Sequence, residues 1–80
     1  MERRHIGRTR VLKGAKLIFN RSSSVLDCVV RNLSNEGACI ELATTSDVPN
    51  EFEVSLDSFR TARRCLVKWR TITRMGIAFT

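Results

Sequence analysis

Apolar side chains recur at every second position along most of this chain, a period that fits strands and excludes any long amphipathic helix. Ala15, Leu17 and Phe19 fall on one face, with Lys16 and Ile18 on the other. Leu26, Cys28 and Val30 alternate with Asp27, Val29 and Arg31, and Ala38, Ile40 and Leu42 with Cys39, Glu41 and Ala43. Phe52, Val54 and Leu56 alternate with Glu51, Glu53, Ser55 and Asp57. Cys65, Val67 and Trp69 alternate with Leu66, Lys68 and Arg70, and Met75, Ile77 and Phe79 close the series. Each run has one apolar face and one wet face, as a half-buried strand requires. Turn-forming residues separate the runs at 20–24, 34–37, 45–50, 57–58 and 71–73. Six short strands predict an all-β chain, a small six-stranded antiparallel β-barrel whose closure leaves no exposed edges.

Eighty residues allow one small domain. A domain of this size buries only about 60% of its unfolded surface, which leaves little room for a core and a deep catalytic cleft together. A binding module is favoured over an enzyme on that ground. Cys28, Cys39 and Cys65 are odd in number and widely spaced, so neither a zinc site nor a full disulfide set is expected, and no cofactor is implied. They read as small core hydrophobes in a reducing, cytoplasmic setting. No segment approaches the roughly 20 apolar residues of a membrane span. The basic N-terminus also lacks the apolar run of a signal peptide.

The charge is uneven. Residues 1–13 carry Arg3, Arg4, Arg8, Arg10 and Lys13 against Glu2 alone, a net +4. Residues 14–80 carry nine cations and seven acids, a net +2. The first thirteen residues also escape the alternation, so the expected division is a flexible basic N-terminal arm over 1–13 and the barrel over 14–80, the first strand starting near Gly14. A basic arm on a nearly balanced body suits an anionic partner: nucleic acid, nucleotide or membrane phosphate.

Two constellations could carry binding. In the arm, Arg4 and Arg8 lie four residues apart, roughly 13 Å on an extended segment and closer on a looped one. Their forked guanidinium groups bind phosphate bidentately, stack on bases and pair with the O6 and N7 edge of guanine. The second is the joint Arg31-Asn-Leu-Ser-Asn-Glu-Gly37. Asn32 and Ser34 are short donor–acceptor side chains, and Gly37 permits positive φ or close approach of a ligand to the backbone. Taken alone, the joint reads as an ordinary hairpin turn.

In combination, an Arg-x-x-x-Arg arm before the first strand and Asn-x-Ser-x-x-Gly after the second resemble the PilZ domain family. Met75-Gly-Ile-Ala-Phe79 is similar to that family's last strand, and Val67-Lys-Trp69 to the one before it. The resemblance spans essentially the whole chain. It implies a receptor for cyclic di-GMP in which Arg4 and Arg8 contact phosphates and guanine edges. Asn32 and Ser34 would hydrogen-bond guanine, Gly37 would keep the turn open, and Arg3 would add a contact. It further implies an arm that changes conformation on binding and so signals to an unidentified downstream protein.

The remaining candidates are weaker. His5 stands alone on the arm, with no carboxylate pair or activated nucleophile to work with. Trp69 shares the phase of Cys65 and Val67 and is expected in the core. Arg60, Arg63, Arg64, Lys68, Arg70 and Arg74 form a second basic group, read mostly as a solvated face that could lend one or two cations to the site. A nucleic-acid-binding barrel is the main alternative. It needs outward aromatics for stacking, whereas Phe19, Phe52, Trp69 and Phe79 all fall on the inward phase. A degenerate module that binds no ligand and serves only as an interaction surface is the other.

Overall fold

The computed structural model describes residues 9–80, with side chains from residue 12 onward. Six strands follow in order: β1 (Thr9–Phe19), β2 (Ser24–Leu33), β3 (Gly37–Glu41), β4 (Glu51–Ser55), β5 (Arg63–Arg70) and β6 (Arg74–Phe79). All neighbours are antiparallel, and the sheet closes in the order β1-β2-β3-β6-β5-β4. The alternation explains the closure, because the apolar phase of every strand turns to one interior. Leu17, Val30, Ile40, Val54, Cys65 and Met75 are essentially without exposed surface, and Ala15, Cys28, Ala38, Phe52 and Ile77 pack beside them. No helix among the described residues is long and apolar enough to cross a membrane.

β1 begins well ahead of Gly14, where the alternation first becomes visible. Arg10 pairs with Asn32 and Lys13 with Val30, so Val11 and Leu12 face Arg31 alone. That extra residue breaks the period and hides the strand in the sequence, and Leu12 is left 74% exposed. Arg3, Arg4, His5 and Arg8 lie outside the described residues.

The two ends of the barrel differ. The β2–β3 turn, the end of β6 and the β4–β5 loop gather at the end where β1 starts. The β1–β2 hairpin, the β5–β6 turn and the crossing loop 42–50 lie at the other. Val48 of that loop is buried, and its Thr45 donates its amide to the Ile72 carbonyl and its hydroxyl to that of Thr71 (2.8 and 2.6 Å).

The cysteines are free and buried. Burial pushes the thiols of Cys28 and Cys65 from an ordinary 9.0 up to about 12, with nearby Asp27 and Cys28 respectively adding to the effect. The folded state therefore favours the protonated thiol. This contribution is fully present below pH 9 and is lost as the pH rises from 9 towards 12, where the unfolded chain ionises first. We expect both thiols to resist an aromatic disulfide reagent at pH 8 and to react at the rate of unfolding; a rapid native reaction would contradict the burial.

Candidate functional site

Two β-bulges lie at the same height on neighbouring parts of the barrel wall, and together they build the candidate site. On β2, Val30 pairs with Ile40 and Asn32 with Cys39, leaving Arg31 as an extra residue. On β5, Val67 pairs with Ile77 and Trp69 with Gly76, leaving Lys68 extra. An extra residue reverses the in–out phase of the strand beyond it. Plain alternation would have put Asn32 inward with Val30 and Trp69 inward with Val67. The bulges turn both outward instead.

The expectation that Trp69 belongs to the core is therefore corrected: it is 49% exposed. The same reversal puts Arg70 in the inward phase at the barrel end. There its Nη1 donates to the carbonyls of Thr45 and Val48 (2.7 and 2.9 Å) and its Nη2 to Asn50 Oδ1 (2.9 Å). Arg70 thereby ties down the crossing loop.

The pairing aligns Arg10, Asn32, Cys39, Gly76 and Trp69 in one row across five strands. The next outward-facing row is Gly37, Ala78 and Leu66. Between Asn32 and Trp69 the wall thus carries only Cys39, Gly76, Gly37 and Ala78, a shelf of small residues. Strands lie about 4.8 Å apart, so Asn32 and Trp69 are roughly 14 Å apart at the backbone. The indole leans back over the shelf, since a Cβ on Gly76 would sit 2.1 Å from its Nε1 and 2.4 Å from its Cε2. Only glycine leaves the ring that space.

Ser34 builds the turn at the other side of the shelf. Its amide donates to the Gly37 carbonyl (2.8 Å), and its Oγ accepts from the amides of Glu36 and Gly37 (both 3.2 Å). The hydroxyl proton is left with a long 3.3 Å contact to the Gly37 carbonyl. The turn is fastened to the last strand by the Phe79 amide, which donates to Glu36 O (2.8 Å). Gly37 has no left-handed backbone; it is needed because a Cβ there would lie 2.0 Å from the Ile77 carbonyl oxygen. Sequence reasoning offered positive φ or the approach of a ligand for this glycine; what approaches its backbone is the protein's own strand.

Most of the second basic group is engaged in holding the barrel together. Arg31 and Arg74 share Glu41 (3.0 and 3.8 Å), Arg64 pairs with Glu51 (2.8 Å), and Arg63 lies 4.0 Å over the Phe79 ring. Lys68, the bulge residue beside Trp69, is exposed and pairs with none of the described residues. Those residues also hold no cluster of three or more His, Cys, Asp or Glu that could bind a metal. The structure thus brings together Asn32, Ser34 and Gly37, with Trp69 facing them. It places Arg10 of β1 in their row, while Arg3, Arg4 and Arg8 lie beyond the described residues. Trp69 is the residue that sequence reasoning missed. The signal that could have found it is the glycine at position 76, opposite a large aromatic.

The architecture is thus a closed six-stranded barrel with an outer shelf of small residues between a polar turn and an aromatic ring. The PilZ domain family model matches residues 2–80, and the chain belongs to the PilZ family. A solved structure with a similar fold is that of the PlzA protein of Borreliella burgdorferi in complex with c-di-GMP, with a TM-score of 0.67 and 20% sequence identity. The match covers 96% of this chain and 34% of PlzA, so the chain spans about a third of that protein's length. No curated protein matches the sequence.

Proposed function

We propose that this chain is a cytoplasmic receptor for cyclic di-GMP that binds the dinucleotide without chemical change and needs no cofactor. The observation that carries the proposal is the pair of bulges that turn Asn32 and Trp69 onto one shelf, in a row that continues to Arg10 and so to the basic arm. Family membership supports it, and so does the ligand held by the PlzA neighbour. Arg4 and Arg8 grip the phosphates and the O6/N7 edge of guanine, with Arg3 adding charge. The Asn32 amide takes a polar base edge, and Ser34 holds the turn and can offer its weakly engaged hydroxyl proton. Gly37 lets the turn sit close to β6, and the Trp69 indole supplies a stacking face. The arm that leads into β1 orders over the ligand and so alters the surface presented to a downstream protein, a shift of population.

Calorimetry on the folded chain tests this: cyclic di-GMP should bind at micromolar concentration and quench the Trp69 fluorescence. Replacing Trp69 by Ala should weaken binding about tenfold, the worth of one stacked base. Its circular dichroism should be unchanged, because the ring is half exposed. No heat at micromolar ligand would sink the proposal and leave the ligand-free module. Tighter, salt-sensitive binding to single-stranded oligonucleotides would favour the nucleic-acid barrel. Against that reading, Trp69 is the one exposed aromatic on a described strand; Phe59, the other exposed aromatic, belongs to the β4–β5 loop.

A further inference from the structure

The barrel closes less completely than its strand order suggests. β1 is eleven residues long, yet it pairs with β4 only through Lys16–Ser55, Leu17–Val54 and Ile18–Glu53. Antiparallel continuation would bring residues 56–58 alongside Ala15, Gly14 and Lys13. The chain leaves that path at Ser55 instead. The Ser55 hydroxyl is buried; it accepts the Phe59 amide (2.8 Å) and donates to Asp57 Oδ1 (3.0 Å). Asp57 in turn receives the amide and hydroxyl of Thr61 (2.9 and 2.7 Å), and Ser58 and Phe59 turn through left-handed backbone (φ 59 and 73).

The result is a split in the wall, a cavity of about 330 Å³ lined by Gly14, Ala15, Lys16, Cys28, Ser55 and Ser58, among others. A Cβ on Gly14 would meet nothing within 4 Å. Among the described residues, β1 from Thr9 to Ala15 thus has a strand partner on its β2 side only. In the strand order this seam lies across the barrel from the β3–β6 shelf.

We propose that this seam receives an extended segment of another protein, which adds as a strand along the Thr9–Ala15 edge of β1, and that the segment alternates apolar with acidic residues. A strand with one unsatisfied edge offers alternate N–H and C=O groups to an incoming chain. The rim supplies both kinds of side-chain complement. Leu12 and Phe59 are 74% and 54% exposed, and Lys13 and Arg60 are exposed cations without a partner among the described residues. The acids beside the rim are already engaged: Asp27, which also lines the cavity, by Lys16, and Asp57 by Ser55 and Thr61. A second copy is the less suitable occupant, because antiparallel pairing of two β1 edges centred on this stretch would set Arg10 of each copy opposite Lys13 of the other, cation against cation.

The test uses the whole chain, isotopically labelled, and a short synthetic peptide of alternating valine and glutamate, with lysine in place of glutamate as its control. The expected result is slowed hydrogen exchange at alternate amides between Thr9 and Ala15 with the acidic peptide alone, weakened by Lys13→Glu. Exchange unchanged at those amides, or slowed equally by both peptides, would overturn the proposal. Protection of the same amides that rises with protein concentration and needs no peptide would assign the edge to a second copy instead. None of these outcomes bears on the shelf, which other strands carry.

Discussion

Replacing Gly37 by Ala is expected to lower the unfolding free energy by about 3 kcal/mol, at the upper end of single-substitution effects. The melting temperature should fall by roughly 10–20 °C. The added methyl would lie 2.0 Å from the Ile77 carbonyl oxygen, 3.1 Å from the Ile77 carbonyl carbon and 3.2 Å from Ala78 Cα. All three are backbone, so relief requires β3 and β6 to separate where Gly37 pairs with Ala78. Separation would also strain the Phe79–Glu36 bond that fastens the turn. A domain of this size has only about 4–12 kcal/mol of stability to lose.

The other glycines provide the comparison. At Gly76 the obstructing atoms belong to the Trp69 ring, which can swing away, so Gly76→Ala should cost only about 1 kcal/mol while displacing the indole. At Gly14 there is open space, and Ala should be neutral within about 0.5 kcal/mol. A thermal melt of the three variants decides it: Gly37→Ala as stable as Gly14→Ala would refute the close approach as the reason for that glycine.

Whether a feature is legible in the sequence depends on how it is encoded. The six strands and most of the core were legible because one residue in two is apolar, and the closed barrel confirms that period. The bulges were not, because an extra residue carries no signature of its own. Arg31 and Lys68 look like ordinary outward residues, yet they decide that Asn32 and Trp69 face outward and that Arg70 faces in. The same blindness hid the start of β1 behind Val11 and Leu12. Closure was legible, but its extent was not: whether β4 continues beside β1 depends on where Ser55 and Asp57 capture the next loop. At the candidate site, the turn and its Ser34 were visible as a motif. The shelf and its aromatic were not, because they exist only in the pairing of β3, β6 and β5.

Replacing Arg4 or Arg8 by Ala should each weaken cyclic di-GMP binding by about a hundredfold, while Arg70→Ala should leave the affinity unchanged. A guanidinium that makes a forked pair with phosphate or with a guanine edge contributes two charge-assisted bonds, and losing both costs about 2.7 kcal/mol of binding. Arg70 is just as cationic, but its guanidinium holds Thr45, Val48 and Asn50 of the crossing loop. Removing it should lower stability by about 2 kcal/mol, because the Val48 carbonyl loses its donor and the Thr45 carbonyl keeps only the Val48 amide. The comparison separates a charge that attracts the ligand at long range from a charge that touches it. If binding reflected only net positive charge, the three variants would weaken alike, and the loss would vanish at high salt. If the arm clamps the ligand, Arg4→Ala and Arg8→Ala retain wild-type melting temperatures and lose affinity, whereas Arg70→Ala does the reverse. Wild-type affinity in Arg8→Ala would exclude the clamp, since the shelf alone would then be sufficient for binding.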